Sequence, residues 1–247
     1  MRWTEAITRA AASAPVALHN HAMLHFDPMG PPTRSRREER RDETREELVA
    51  SAAAVFAERG FHGASLEQIA REAGYSTGAI YWHFGGKDEL FLAAFETYAL
   101  TRVGEFAEIS ESASGRLPER ARAFADHWMA RHASNPGFLL VSLEFLAHAW
   151  RKPHLLKAFA AQNAAIRLAL GRILEQEAQT AGAELPMPAQ DLATVMRQLG
   201  VGLALVKLAE SDAFPDRLYG DFVELFYELA TSDEPRRTPD AMGSGRE

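Results

Sequence analysis

The sequence predicts an all-α protein with an N-terminal three-helix helix-turn-helix domain and a C-terminal helical bundle. Apolar residues recur every three or four positions over most of residues 44–231, and no segment sustains the two-residue period of a strand. A glycine at 74 separates two short segments with apolar faces, which is the spacing of two helices crossing at a tight turn. We therefore expect one domain over 42–90 and a second, helical domain over 91–231.

Composition limits the classes of function. The chain has 247 residues, of which 47% are hydrophobic, and a formal net charge of −7. So acidic a chain does not coat nucleic acid over its whole surface, and any DNA contact must be local. The lack of cysteine excludes disulfides and thiolate chemistry. No apolar run approaches the length of a bilayer span, so we expect a cytoplasmic protein without membrane contact.

Residues 1–41 are expected to be a disordered N-terminal extension that ends in a basic arm. Three histidines, His19, His21 and His25, are either part of a solvated tail or metal ligands, and we favour the tail because nothing there would orient them. Met29 is an alternative start of translation. The arginine run 34–41 is either a solvated linker or an arm that reaches phosphates or the minor groove.

The helix-turn-helix is predicted after a first helix over 44–60. Ser65 is placed to cap the next helix, with Gln68 three residues on as in a capping box. Gly74 ends that helix, since a left-handed residue suits glycine, and Ser76 can cap the following recognition helix. At its N-terminus hydroxyls and free amides can reach phosphate or base edges.

The stretch GYSTGAIYWHFGGKDELF, residues 74–91, resembles the recognition-helix signature of the TetR family of transcriptional regulators. The resemblance covers 44–95 and departs from the family at 85–86, where polar or charged residues are more usual than two glycines. It implies that the recognition helix contacts DNA, while Ile80 and Phe84 are expected in the core. The residues we assign to DNA binding are Thr44, Ser65, Ser76, Thr77, Gly78, Tyr81, Trp82, His83 and Lys87.

Beyond the motif, a linking helix is predicted from Lys87 to about Ser110. Prolines stand near the starts of most later segments, where a missing N–H costs nothing. The segments read as helices are 118–133, 136–150, 154–181, 189–210 and 215–231. Residues 232–247 lack an apolar face and are expected to be a disordered tail.

Aromatic stripes in these helices predict either a core or a pocket. Polar residues lie in phase with them, and a buried polar group needs a partner, a water or a ligand. We expect a small, mostly apolar molecule to bind at Trp128, Phe145, His148, Trp150 and Asn163. Glu144 and His148, four residues apart, suit a shared metal or an acid–base pair, but no further motif supports either. No metal, cofactor or catalytic residue is predicted.

The last two helices carry apolar stripes with small residues around Gly200. The pair is interpreted as a homodimer interface, as in the family it resembles, or as core of one subunit. We therefore predict a ligand-responsive repressor that binds a palindromic operator as a homodimer and is released by a small molecule. The alternatives are a helical enzyme carrying a helix-turn-helix and a constitutive DNA-binding protein without a ligand.

Overall fold

The computed structural model describes residues 35–112 and 115–231, and this part of the chain is helical without strands. The all-α prediction is therefore confirmed. The helices are α1 (Arg36–Gly63), α2 (Leu66–Ala73), α3 (Thr77–Phe84), α4 (Lys87–Ser112), α5 (Leu117–Ser134), α6 (Gly137–Ala149), α7 (Pro153–Ala181), α8 (Ala189–Ala209) and α9 (Leu218–Thr231). The three tail histidines, Met29, Arg34 and residues 232–247 lie outside the described residues.

Helix α1 begins eight residues earlier than predicted. Ser35 caps it: the Glu38 amide donates to the Ser35 hydroxyl at 3.3 Å, and the Glu38 carboxylate accepts from the Ser35 amide at 2.9 Å. This is a complete capping box. Residues 36–41 are therefore helical, and the expectation of a disordered extension is wrong for them. The error arose because the helix start was predicted from an apolar stripe, and the polar first turn of α1 has none.

A kink at Gly60 separates the long part of α1 from its last turn. Gly60 has φ 71°, a left-handed value that favours glycine. The amide of Phe61 there donates to the Glu144 carboxylate of α6 at 2.9 Å. This hydrogen bond therefore links the N-terminal region to the bundle.

The helix-turn-helix forms as predicted, with two differences in capping. Gly74 is left-handed with φ 79°, and the Tyr75 amide donates to the Ala70 carbonyl at 2.8 Å. Ser65 accepts from the Gln68 amide at 3.1 Å, but the Gln68 side chain donates to Glu72, so only half of the capping box forms. Ser76 occupies the N-cap of α3 without a capping hydrogen bond from its hydroxyl.

Two apolar cores hold the described residues together. The first joins α1 to α4 with α6 and α7 and includes the fully buried rings of Phe56, Phe91 and Phe145. It therefore crosses the expected boundary at residue 90. The second joins α5, α8 and α9 around Leu192 and Tyr219. The division into domains at residues 42–90 and 91–231 remains a prediction.

Helix α6 packs directly across α1. At their closest point Gly137 meets the backbone of Ala57, and a side-chain Cβ at residue 137 would overlap the Ala57 carbonyl oxygen. Only glycine permits so near an approach of two helices.

Helix α8 corrects one expectation about length. By length and composition it is apolar enough to cross a bilayer, although we had found no such run in the sequence. Core helices of bundles have the same composition, and α8 packs along α7 and α5.

Candidate DNA-binding surface and ligand cavity

Helix α3 buries one face and exposes another. Ile80 is fully buried against the first core and Phe84 is half-buried, so the predicted core assignment is confirmed for Ile80 and partial for Phe84. Tyr81 and Trp82 point away from Ile80 because successive helical residues turn by about 100°. Their exposures are 57% and 66%. Large aromatic side chains this open are uncommon on a helix without a partner.

The arginine-rich start of α1 lies beside this aromatic face. The Arg41 guanidinium stands 5.0 Å from the centre of the Trp82 ring, and that of Arg45 stands 5.3 Å from the Phe84 ring. Burial lowers the pKa of His83, and the charges of Arg41 and Arg45 lower it further. The lowered pKa favours the neutral form of His83. The run and the recognition helix form one surface, which we call the α1–α3 face (Arg41, Arg45, Tyr81, Trp82 and His83).

The hydroxyls assigned to DNA binding differ in whether they already make a hydrogen bond within the protein. Thr44 donates to the Arg40 carbonyl at 2.9 Å, and its oxygen lies 3.3 Å from the Tyr75 hydroxyl. Ser65 is occupied as a cap but exposed. Ser76 is exposed at the N-terminus of α3. Of these three, Ser76 is the one whose hydroxyl is available without breaking a bond described here.

Lys87 folds back on α1 instead of extending outwards. Its Nζ lies 3.4 Å from the His62 carbonyl oxygen and 4.9 Å from the centre of the Phe61 ring. Burial lowers its pKa, against the opposing effect of Asp88 and Glu144. To reach a phosphate its side chain has to leave this position. Thr77 is half-buried and Gly78 is exposed on the first turn of α3.

The bundle contains a partly open cavity of about 530 Å³. It lies among α4 to α9, and its wall is mostly apolar, with aromatic rings from α4, α5 and α7. A volume of this size suits a small organic ligand. Two of the five residues predicted to bind a ligand line it, Trp128 and Asn163. The Trp128 ring stacks on His132 with 3.6 Å between centroids, and burial lowers the pKa of His132.

The other three predicted ligand residues do not line this cavity. Phe145 is fully buried and stacks on Phe91, with 4.2 Å between ring centroids. His148 lies on the side of α6 that faces α4, where its Nε2 is 3.0 Å from Asp88 Oδ1. Trp150, at the end of α6, is 74% exposed. A stripe on one helix could not show which of its sides meets the cavity.

The Asp88 cluster replaces the acid–base pair considered for Glu144 and His148. Lys152 donates to the second Asp88 oxygen at 2.9 Å. Burial alone would raise the pKa of Asp88, but Lys152 and His148 hold it below its usual value. Glu144 accepts from the Phe61 amide instead. The described residues contain no cluster of three acidic or histidine side chains that could hold a metal ion.

Sequence reasoning missed the charged groups of the cavity. Arginines from four helices line it together with a single carboxylate: Arg102, Arg120, Arg167, Arg197 and Glu177. Three side-chain atoms on this wall are buried without a hydrogen-bond partner: Arg102 Nε, Arg120 Nε and Ser110 Oγ. The one available signal was arginine in phase with apolar residues on 153–181 and 189–209.

Helices α8 and α9 leave an apolar face on the surface. Among its members are Val195 and Val206 of α8 and Phe222, Leu225 and Leu229 of α9, with Leu229 69% exposed. We call this set the α8–α9 face. Leu192 of α8 is instead fully buried within the chain.

These features define a class of protein: a helix-turn-helix with an open recognition helix, joined to a hollow helical bundle. Residues 48–94 match the family model of bacterial regulatory proteins of the TetR family. The helix-turn-helix region of this chain is therefore similar to that of the TetR family of bacterial transcription regulators.

Similar proteins agree with this assignment. The HTH-type transcriptional regulator SrpR of Pseudomonas putida is 48% identical over 52 residues, 21% of this chain and 24% of SrpR. The matched segments span only 24% to 38% of the length of the first curated relatives.

Solved structures show the same fold over more of the chain. A TetR-family regulator from Mesorhizobium loti covers 77% of this chain and 96% of its own, with a TM-score of 0.61 and 19% identity. FadR of Bacillus subtilis, solved with stearoyl-CoA, covers 76% and 97%, with a TM-score of 0.56 and 16% identity.

Proposed function

We propose that the protein is a ligand-responsive transcriptional repressor that binds a palindromic operator as a homodimer and releases it when a small, mostly apolar molecule enters the cavity. The observation that carries the proposal is the open aromatic surface of the recognition helix beside the arginine-rich start of α1. Such a regulator acts on DNA in the cytoplasm, and it needs no catalytic residue or cofactor.

The α1–α3 face supports the DNA half of the proposal. Tyr81 and Trp82 present large, exposed rings on a helix of the length that enters a major groove. Arg41 and Arg45 supply the positive charge that the chain as a whole lacks. Thr77, Gly78 and Ser76 stand at the N-terminus of the same helix, and Ser65 at that of α2, where amides favour phosphate.

The α8–α9 face supports the dimer. An apolar face of this kind, with Leu225 54% exposed, is costly in water unless a partner covers it. A second copy, applied about a two-fold axis, would cover both helices with the same two helices of its partner. Dimerisation would also set two recognition helices side by side for the two half-sites of a palindrome.

The cavity supports the release step. Its wall includes α4, which starts at Lys87 beside the recognition helix and runs into the bundle. A ligand that binds better when α4 is tilted shifts the population away from the DNA-binding arrangement. By linkage, DNA must weaken ligand binding by the same factor.

The test begins with selection of duplexes that the full chain retains from a random pool. The selected operator should be palindromic, and Tyr81→Ala and Trp82→Ala should each weaken its binding by about tenfold, the scale of one lost base contact. Fluorescence anisotropy of labelled operator measures this. Trp150→Ala, which removes an equally open tryptophan from the bundle, is the control and should bind as the wild type does. Selection of non-palindromic sequences, or unchanged affinity in both α3 variants, contradicts the proposal.

A further inference from the structure

The charges on the cavity wall do not balance. Four arginines face one carboxylate, Glu177. Arg120 pairs with Glu177, and Arg102 pairs with Glu105, which lies just outside the cavity, at 2.7 Å. Arg167 and Arg197 remain, and among the residues that the structure describes neither has a carboxylate within ion-pair distance.

Arg197 is held in place by a neutral partner. Its Nη2 donates to Asn163 Oδ1 at 2.8 Å, and the Asn163 amide nitrogen donates to the Phe159 carbonyl at 2.9 Å. The second bond fixes the amide with its oxygen towards Arg197. Burial lowers the pKa of Arg197, and the nearby charge of Arg167 lowers it further. A partly buried cation beside a second cation is an arrangement that an anion stabilises.

The cavity extends along α7. The residues of α7 that line it recur on one side of the helix, from Leu156 to Glu177. Asn163 and Glu177 are fourteen positions apart, which corresponds to about 21 Å of helix. Between them the α7 residues on the wall are Ile166, Arg167, Leu170 and Leu174. An elongated apolar space with two unbalanced cations suits a chain-like molecule that carries one negative group.

We propose that the effector is an amphipathic carboxylate, whose head group binds Arg197 beside Arg167 and whose hydrocarbon tail lies along α7. This inference rests on the proposed function, in which the cavity is the effector site. A carboxylate fits because a guanidinium offers two parallel N–H groups to its two oxygens. Asn163 keeps the guanidinium oriented before the ligand arrives, which lowers the entropy lost on binding.

The test compares acids with alcohols of the same chain length. The full chain is titrated calorimetrically with octanoate, dodecanoate and hexadecanoate, and with the three matching alcohols. At least one acid should bind about 10-fold or more tighter than its alcohol, the scale of a charge-assisted hydrogen bond. In Arg197→Met this preference should disappear while alcohol binding stays unchanged.

A matched control separates the site from general charge. Arg172→Met removes an exposed arginine of α7 that does not line the cavity, and it should keep the preference of the wild type. Thermal unfolding of the ligand-free proteins measures the cost of losing the Asn163 hydrogen bond separately from the loss of the acid preference. Arg197→Lys keeps the charge but loses the two parallel N–H groups of the guanidinium, so its preference for the acid should be reduced. If Arg197→Met does not fold, the result for Arg197→Lys tests the inference.

Equal binding of acids and alcohols, or a preference that survives in both Arg197 variants, overturns the inference. So does a failure of every acid in the series to bind. Release of the operator by an uncharged compound would overturn it too, while leaving the proposed ligand-responsive function intact.

Discussion

The N-terminal helix-turn-helix region and the C-terminal bundle are built in opposite ways. The first is solid, with Leu90 and Ile80 fully buried, and it exposes a face of arginines and aromatic rings. The second is hollow around its cavity and exposes an apolar face. Under the proposed function, the N-terminal region meets DNA at its surface, and the bundle meets an effector in its interior and a second copy on its apolar face.

The largest effect is expected in the solid core. Leu90→Ala should destabilise the protein by about 2–5 kcal/mol, because it opens a cavity in closely packed surroundings. Leu170→Ala removes the same atoms from a side chain that already faces the hollow, so its cost should be less than about 2 kcal/mol. Urea unfolding followed by circular dichroism measures both. Equal losses of stability would show that the bundle is packed as tightly as the N-terminal region.

The apolar face of the bundle provides the next test. Leu225→Glu places a charge on the α8–α9 face and should convert dimers to monomers, because a desolvated charge without a partner opposes association. Operator affinity should then fall by about 100-fold, since one half-site is lost. Sedimentation and anisotropy measure the two effects. Gln179→Glu adds the same charge at an exposed position of α7 and should leave the dimer intact. A wild-type protein that sediments as a monomer would refute the interface.

The smallest effect is expected on the charged face. Arg41→Gln should weaken operator binding only several-fold, but it should reduce the slope of log affinity against log salt by about 0.9, the value for one phosphate contact. Arg59→Gln, at an exposed position near the far end of α1, is the control and should not change the slope. If Arg41→Gln also has the wild-type slope, the arginine serves only to pack on Trp82.

The two regions also differed in how much their sequences revealed. In the helix-turn-helix, Ser65 and Gly74 act through neighbours a few residues away, so local pattern was enough. The start of α1 was missed because the signal, Ser35 with Glu38, lies outside any apolar stripe. The capping pair was visible in the sequence, but the start of the helix was predicted from apolar periodicity instead.

In the bundle the decisive contacts join distant residues. His148 looked like a ligand group until its partner proved to be Asp88, sixty positions away. Arg197 meets Asn163 across thirty-four positions. Which polar residues face a shared hollow depends on how the helices are arranged around it, and periodicity within single helices carries no information about that arrangement.

A rotation of α1 about the contact of Gly137 with Ala57 would displace the N-terminal end of the helix. From Ala57 to Arg41, beneath the Trp82 ring, the helix runs sixteen residues, or about 24 Å. A rotation of about 10° around that contact would displace Arg41 by roughly 4 Å. The axial step from one base pair to the next is about 3.4 Å. A rotation of that size would therefore displace Arg41 by more than one base-pair step.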